Sequence, residues 1–274
     1  MIALKSLGLS MEGLTAILEL SHGKANEMGA AEIGEFERLA AWLETGEART
    51  LITFSRRTSG KGTPIFIAGA NVTERAEWTV NEVKAHVRRQ REALARLRRA
   101  PVFHVAVVHG IALGWGTEFL LCCDWRIATF GARFGLPETG LGILPGAGGS
   151  SELASMIGLP NALRLGMTGE QVNVDEAHRM GLVDEVAASL DAGLSRARAM
   201  AANVEKRSPT AVAAFKAAAQ ASIGLDTDDR RVVEARAYEH CVDTGEAAIG
   251  RSAFAAITTG ESTPAWGPYK VWRP

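Results

Sequence analysis

The sequence is poor in features that would indicate an oxidising compartment or a polyanionic partner. Only 3 of its 274 residues are cysteines, and two of them are the neighbours Cys122 and Cys123. A disulfide framework is therefore excluded, and free thiols in a reducing compartment are expected. The 30 Lys and Arg residues balance 31 Asp and Glu residues, so the net charge of −1 gives no overall field that would hold a polyanion. No CxxC pair or Cys/His cluster predicts a metal site.

Long uncharged stretches are also scarce. The longest, residues 100–117, contains Pro101, two histidines and three glycines. Its alternating apolar pattern predicts a buried strand and a Gly-containing turn, and not a membrane span. The apolar N-terminal segment includes Lys5 and has no small-residue cleavage site before Glu12. No targeting signal is predicted from this segment, and we expect a cytoplasmic protein.

The sequence does contain enough apolar residues, 47%, to bury a substantial core. Strands are predicted at 14–20, 49–54, 64–68, 102–108, 125–128 and 182–186. Helices are predicted at about 33–43, 79–99, 114–122, 162–167, 174–180, 190–205, 209–222 and 226–244. This order predicts an α/β core over residues 1–188 and a helical C-terminal section with a tail over residues 189–274.

Three Gly-containing turns, at 66–71, 110–118 and 136–149, each follow a predicted strand. Such turns place backbone N–H groups where they can face an anion or a developing oxyanion. The second and third turns contain Glu118 and Glu138. Glu118 lies in an apolar segment, and burial would raise the pKa of its carboxyl as a general acid or base requires.

Each of these features also has a structural interpretation. A Gly-rich turn is often only a tight connection, and a single Glu is usually solvated. His104 and His109 are expected to be core or strand-end residues, since no nucleophile pattern accompanies them. The turns lack GxxxxGK[ST] and a complete dinucleotide fingerprint, so a nucleotide-phosphate site is not predicted.

Taken together, the three turns resemble the crotonase superfamily, the enoyl-CoA hydratases and isomerases. Segment 66–72 is similar to F-x-A-G-A-D-[LIV], segment 110–124 to G-x-A-x-G-G-G-x-E…C-D, and segment 134–149 to F-G-x-P-E…G-x-x-P-G-x-G-G. Further matches are found at 24–26, 180–186 and 250–254, so the resemblance spans about residues 14–256. Several linked motifs in one order are a strong signal for the fold.

The resemblance implies an α/β crotonase fold, a spiral of ββα repeats whose C-terminal helical section forms homotrimers, often paired into hexamers. It also implies that no cofactor is needed, because CoA enters as part of the substrate. The residues expected in the reacting part of the site are the acids Glu118 and Glu138, the oxyanion-hole N–H groups of Ala70 and Trp115, and the lining residues Gly146, Gly114 and Asn71. The residues expected to contact CoA are Lys24, Ala25, Ala68, Arg56 and Lys61.

In the superfamily, acids at both positions indicate a hydratase, whereas isomerases usually depend on the second acid alone. The resemblance therefore implies that Glu118 takes a proton from water and that Glu138 supplies one to an enoyl thioester. Isomerisation, decarboxylation and C–C bond cleavage of a CoA-bound or carrier-bound acyl group stay open as alternatives, since related enzymes use the same oxyanion hole for them.

Four positions depart from the family pattern. Trp115 replaces a glycine, so its indole must lie in the acyl pocket or in the core behind the turn. Asn71 replaces an aspartate, Thr73 stands where hydratases can carry a phosphate-binding lysine, and no cation follows Phe254. A phosphopantetheine thioester on a carrier protein therefore stays open. Cations that could bind the CoA phosphate instead are Arg56, Arg57, Lys61 and Arg75.

A different class of function is suggested by the basic helix 79–99. Its basic face comprises Lys84, Arg88, Arg89, Arg91, Arg96, Arg98 and Arg99. Some crotonase relatives bind RNA through such a helix, but we favour a solvated face, because the overall charge is balanced and no aromatics interleave. A catalytically silent scaffold is the third option, and the presence of both Glu118 and Glu138 argues against it.

Overall fold

Two sheets of mostly parallel strands position the rest of the chain. The computed structural model describes residues 2–274. Its strands are β1 Leu7–Glu12, β2 Thr15–Leu20, β3 Thr50–Phe54, β4 Ile65–Ile67, β5 Phe103–Val108, β6 Ile111–Leu113, β7 Trp125–Thr129, β8 Arg133–Gly135, β9 Gln171–Asn173 and β10 Glu185–Ala187. The larger sheet has the order β1-β2-β3-β5-β7-β10 and the smaller one β4-β6-β8-β9. Only the β1–β2 and β8–β9 pairs are antiparallel within residues 2–274.

The helices connect and cover these sheets. They are α1 Ala30–Leu43, α2 Val80–Arg99, α3 Trp115–Leu120, α4 Leu153–Ile157, α5 Leu159–Thr168, α6 Val174–Arg179, α7 Leu190–Glu205, α8 Pro209–Ala221, α9 Thr227–Asp243, α10 Glu246–Ser252 and α11 Phe254–Thr259. Parallel strands require such crossover connections, and a sheet covered on both faces has continuously apolar strands. All five residues of β3 are buried, as this arrangement requires.

The chain fills the two sheets alternately. β3 joins the large sheet, β4 joins the small sheet, and α2 leads the chain back to the large sheet. The strands β5 and β6 and the helix α3 repeat this pattern. β7 and β8 are distributed in the same way before α4. The expected spiral of ββα repeats and the α/β crotonase fold are thus confirmed.

Side-chain alternation divides the large sheet into two apolar faces. In β5, Ala106 and Val108 point into the larger core cluster, whereas Val105 and Val107 point to the other side. α7 covers that second side closely: a Cβ on Gly193 would lie 2.7 Å from Cγ1 of Val107. By its packing α7 is part of the core, although it follows the predicted boundary at residue 188. That boundary stays a prediction.

The predicted elements differ from the observed ones at both ends of the chain and in the small sheet, where β6, β8 and β9 have no counterpart among the predicted strands. The sequence predicts no strand before residue 14, but β1 pairs with β2 at the edge of the large sheet. The predicted strand 182–186 is shifted to Glu185–Ala187, while Leu182 and Val183 are buried in the preceding turn. α10 and α11 were not predicted. No helix within residues 2–274 is long and apolar enough to cross a membrane.

Candidate active site

Adjacent strand ends bring the three Gly-containing turns together. In the small sheet, Ile67 of β4 pairs with Ala112 of β6, and Leu113 of β6 pairs with Gly135 of β8. All three strands run parallel, so their carboxyl ends lie at one edge. The turns that follow, at 68–71, 114–118 and 136–138, are therefore neighbours in space although they span about 70 residues of sequence.

The backbone N–H groups of Ala70 and Trp115, both at this edge, have no acceptor among residues 2–274. Met28 donates to the Gly69 carbonyl at 3.0 Å and accepts from the Asn71 N–H at 2.9 Å. Since N–H groups alternate in direction along an extended chain, the Ala70 N–H points away from Met28. Trp115 is the first residue of α3, where an N–H has no acceptor inside the helix. Both amides are available to an oxygen atom at this edge.

Glycine is required at two positions in the second turn. Gly114 has φ 54°, and a Cβ there would lie 2.7 Å from Oε1 of Glu138. A Cβ on Gly116 would lie 2.4 Å from the Ile67 carbonyl oxygen. The left-handed conformation is therefore taken by Gly114, and close contact with β4 is made by Gly116. Gly114 borders Glu138, and its role in lining the space for substrate or water stays a prediction.

The Trp115 indole lies in the core behind the turn, one of the two expected places. Its side chain is only 1% exposed, and its ring centroid lies 5.6 Å from that of Phe36 and 5.7 Å from that of Phe119. The replacement of glycine by tryptophan at this position thus fills the core and leaves the backbone N–H in place. Trp115 does not take a positive φ; Asn26 is the one non-glycine residue of the described chain that does.

Glu118 is held rigidly inside α3. The residue is 3% exposed, and its Oε1 accepts hydrogen bonds from the N–H groups of Ala147 at 2.7 Å and Gly149 at 2.9 Å. Burial raises the pKa of Glu118 to about 7, and the negative charge of Glu138 acts in the same direction, while the two N–H donors oppose the shift. The carboxyl can therefore both take and release a proton near neutral pH.

Glu138 lies at the same edge of the small sheet, but fewer hydrogen bonds hold its carboxyl. It belongs to the 3-10 turn Pro137–Leu141 and is half-buried, and its Oε2 is buried with no hydrogen-bond partner among residues 2–274. Burial raises the pKa of Glu138. The predicted water-bordering residue Gly146 lies in the following loop, where its carbonyl accepts from Arg91 Nε at 2.9 Å and so attaches the loop to α2.

The residues expected to contact CoA fall into two groups. The Ala68 N–H donates to the Ala25 carbonyl at 3.1 Å, so these two residues lie together, and the neighbouring Lys24 is exposed. Arg56, in contrast, pairs with Asp191 at 3.2 Å, and Lys61 is exposed in the 55–63 loop. The Arg56 guanidinium is thus held toward α7, and contact of Arg56 or Lys61 with CoA stays a prediction.

The Asn71 side chain is engaged with its own turn. Its Oδ1 accepts from Thr73 Oγ1 at 2.7 Å, and this bond closes the short 3-10 segment Thr73–Arg75. Asn71 therefore shapes the chain after Ala70. A direct contact of its side chain with substrate stays a prediction.

Asn26 is a positioning residue to which the sequence analysis assigned no role. The residue is fully buried at φ 53°, a conformation that asparagine tolerates better than most residues. Its Nδ2 donates to Ser55 Oγ at 2.9 Å and to the Phe66 carbonyl at 2.8 Å. Asn26 thus ties the turn after β2 to the ends of β3 and β4. The resemblance of segment 24–26 to a family motif was the available signal.

Behind α3 the fold assembles a Cys/His cluster that the sequence did not indicate. One potential ligand atom each of His104, Cys122 and Cys123 lies within 4.8 Å of the others, a donor set that suits soft metals. His104 Nε2 is 2.9 Å from Thr53 Oγ1, and Cys122 donates to the Phe119 carbonyl. Burial raises the pKa of the Cys123 thiol and lowers that of His104 to about 3. The shifts favour the neutral forms of Cys123 and His104, and the cluster packs as part of the core. The absence of a metal requirement stays a prediction.

The basic face of α2 is largely neutralised within the chain. Arg89 pairs with Glu37 at 2.6 Å, and Arg96 pairs with Glu44 at 2.6 Å, both across to α1. Arg98 pairs with Glu152, and Arg99 with Glu92. Cations that are already paired gain little from phosphate contacts, so the arrangement supports the interpretation of a solvated face.

Comparison with known proteins gives a consistent set of matches. A family model described as enoyl-CoA hydratase/isomerase matches residues 58–259. The human "Enoyl-CoA hydratase domain-containing protein 2, mitochondrial" is 34% identical over 257 residues, covering 92% of this chain and 86% of that protein. The short-chain-enoyl-CoA hydratase of Clostridium acetobutylicum is 30% identical and covers 92% and 95%. The crystal structure of an enoyl-CoA hydratase from Bacillus anthracis matches with a TM-score of 0.85 at 30% identity, covering 96% and 99%.

Proposed function

Because the chain belongs to the enoyl-CoA hydratase/isomerase family, we propose that it adds water across the double bond of a 2-enoyl-CoA thioester. One observation carries this proposal: Glu118 and Glu138 flank the strand-end edge that also holds the free N–H groups of Ala70 and Trp115. Each acid has a raised pKa, and the charge of Glu138 is felt at Glu118. Hydration needs two proton-transfer groups beside one polarised carbonyl, and this edge supplies them.

The two amides serve the thioester carbonyl. When water attacks the β-carbon, electrons move to the carbonyl oxygen and an enolate forms. The N–H groups of Ala70 and Trp115 stabilise that oxygen, and each such donor contributes roughly 3 kcal/mol. Their positions are fixed by β4 and α3, so little reorganisation is needed as the charge develops.

The two acids handle the protons. Ionised Glu118 removes a proton from the attacking water, whose oxygen bonds to the β-carbon. Glu138, in its protonated form, gives a proton to the α-carbon, and the enolate collapses to the thioester. Proton return between the acids through solvent or product closes the cycle, and their titrations are coupled.

In the proposed complex the CoA portion of the substrate lies beside the contact between Ala25 and Ala68. No further cofactor is needed for these steps.

Self-association through the helical C-terminal section into trimers, or dimers of trimers, is also part of the proposal. Large apolar side chains are exposed there: Phe215 is 77% exposed, Tyr238 71% and Phe254 67%. Exposed apolar surface of this kind is typical of an interface. A cytoplasmic location stays a prediction; the similar human protein is named as mitochondrial.

Isomerisation is the second candidate reaction of this family. An isomerase moves a proton between two carbons and requires one acid, so Glu138 alone would be enough. The firm seating of Glu118 on two N–H donors favours a positioned second acid and hence hydration. A decarboxylase or a C–C lyase would not need Glu118 held in this way.

Two substitutions test the proposal. Glu118→Gln and Glu138→Gln should each lower crotonyl-CoA hydration at least about a hundredfold with the fold intact, because each removes one proton-transfer step. Loss of the enoyl-thioester ultraviolet absorbance measures the rate, and Glu261→Gln, at an exposed residue, serves as the matched control. Full activity in both variants would refute the assigned roles. A 3-enoyl-CoA should be included, since isomerisation that survives Glu118→Gln would instead support the second candidate.

A further inference from the structure

A cavity of about 590 Å³ opens on the side of Glu118 that faces α2 and α8. Of the proposed catalytic groups, only Glu118 borders the cavity, which extends away from it between the two helices. The space is much larger than the single methyl group that crotonyl-CoA carries beyond its reacting double bond.

The cavity begins where an acyl chain must continue. In the proposed reaction the carbonyl oxygen binds the Ala70 and Trp115 amides, and the β-carbon lies at Glu118. The CoA portion leaves on the Ala25 and Ala68 side, so the acyl chain beyond the β-carbon has to pass Glu118 in another direction. The space that Glu118 borders is this cavity.

The lining of the cavity is mainly apolar. Its apolar side chains come from four segments: Leu94 of α2, Leu121 after α3, Ala217 and Ala221 of α8, Ile223 and Trp272. Three of the four arginines around the rim are engaged, since Arg91 donates to the Gly146 carbonyl, Arg98 pairs with Glu152 and Arg99 pairs with Glu92, while Arg273 is exposed. An apolar chain therefore finds matching surface here, and no unpaired buried charge requires a charged acyl end.

Trp272 forms its wall as part of a pinned segment, residues 263–274. Trp266 Nε1 donates to the Lys206 carbonyl at 2.9 Å, and the Lys270 N–H donates to Thr210 Oγ1 at 3.1 Å. Tyr269 packs against Gly46, where a Cβ would lie 2.7 Å from Tyr269 Cβ. These contacts fix the segment just before Trp272, so the indole is a positioned wall and not a free end.

We propose that this cavity binds the distal part of a medium-chain apolar acyl group, and that Ala217 and Trp272 set the chain length. The inference rests on the proposed function for the placement of the thioester, and it adds the substrate class. Ala217 lies on the α8 side of the space and Trp272 on the side of the pinned segment. Enlarging the first side chain shortens the cavity, and removing the second opens it.

Binding of saturated acyl-CoAs tests the inference without any turnover. Octanoyl-CoA should bind at least about tenfold tighter than butyryl-CoA, as measured by calorimetry. Each buried CH₂ group raises the affinity up to about fourfold, and octanoyl-CoA has the longer chain. Ala217→Phe should remove most of this difference. Ala219→Phe, an exposed position of the same helix, is the matched control and should keep it. Trp272→Ala should weaken octanoyl-CoA about fivefold and change butyryl-CoA little, and it serves if Ala217→Phe does not fold.

Three results would overturn the inference. They are equal affinity for the two chain lengths, an Ala217→Phe effect of the same size on both, and binding of octanedioyl-CoA, which ends in a carboxylate, as tight as that of octanoyl-CoA. Failure of the proposed function is distinguishable: wild-type protein would then not hydrate crotonyl-CoA, while the chain-length dependence of binding remained. Hydration with no dependence on chain length would refute the cavity assignment alone.

Discussion

Glu118 and Glu138 lie after neighbouring strands, but the chain holds the two carboxyl groups in different ways. Glu118 is inside a helix, 3% exposed, with one oxygen fixed by two amide donors. Glu138 is in a 3-10 turn, half-buried, and its Oε1 lies against the bare α-carbon of Gly114. Identical side chains thus obtain different burial and different hydrogen bonding from their surroundings. In the proposed reaction this asymmetry separates a firmly bonded base from a less buried acid.

The largest effect is expected from closing the space beside Glu138. Gly114→Ala should reduce hydration at least about a hundredfold, because the new Cβ would displace the Glu138 carboxyl and would also strain a residue at φ 54°. Enoyl-CoA turnover with the fold checked by circular dichroism measures this. Gly140→Ala is the matched control. Gly140 lies in the 3-10 turn that contains Glu138, and a Cβ there would have no atom within 4 Å. Equal activity in the two variants would show that Glu138 is not confined as described.

The buried acid should have a cost in stability that the half-buried one lacks. The folded pKa of Glu118, about 7, exceeds its ordinary value of 4.5. Between these values the folded protein binds more protons than the unfolded chain, so the free energy of unfolding falls as the pH rises and is level above about 7. Glu118→Gln should therefore gain about 3 kcal/mol over wild type between about pH 4.5 and pH 8.

Urea unfolding at about pH 5 and about pH 8 measures that gain. Glu138→Gln should gain less, because Glu138 is only half-buried. A pH-independent difference between wild type and Glu118→Gln would mean that Glu118 does not titrate in this range, and the contrast between the two acids would lose its basis.

The same pKa predicts the acidic limb of the activity profile. If Glu118 must be ionised, kcat/KM should fall as the pH drops below about 7, approaching tenfold per pH unit. Above that pH the rate should level off, because Glu118 is then fully ionised. Initial rates over a pH series give the profile, and a limb centred near pH 4.5 would contradict the raised pKa.

The smallest effect on turnover is expected at Trp115. Trp115→Phe should keep hydration within about threefold, since the backbone amide acts on the substrate and the indole packs on Phe36 and Phe119. Stability should fall by about 1–2 kcal/mol because the core loses volume. Thermal unfolding and turnover are measured together, with Phe36→Leu as a control in the same cluster. A large loss of activity in a folded Trp115→Phe variant would place the indole in the acyl site.

Most strands of the large sheet, the long helix α2 and the three Gly-containing turns could be predicted because periodicity and glycine placement are local signals. The ββα repeats were implied by the resemblance, and the short strands β6, β8 and β9 carry too few residues for a periodic signal. The strand β1 was missed because only one of its residues, Leu7, is buried, so it lacks the apolar pattern of a core strand. Its pairing with β2 is what makes it a strand. The bounds of α2 were predictable but its buried face was not, since Val80 is 69% exposed and His86 is the first buried residue.

For the site, motif residues were predictable and their surroundings were not. Glu118 stood out as an acid in an apolar segment, and it is buried. Nothing local to Glu118 indicates that the N–H groups of Ala147 and Gly149, about 30 residues later, meet its oxygen. The direction of the Trp115 side chain, the cluster around His104 and the path of residues 263–274 likewise depend on packing between segments far apart in sequence.

The pair of amides that grips Glu118 has one more consequence. Because Oε1 accepts two hydrogen bonds, Oε2 is the oxygen that exchanges a proton. The two hydrogen bonds also oppose a rotation of the carboxyl group that would interchange the two oxygens. A nucleophile activated there reaches a planar alkene from a single face. In the proposed reaction the hydroxyl-bearing carbon would therefore have one handedness, and a racemic alcohol would show that the carboxyl is not locked.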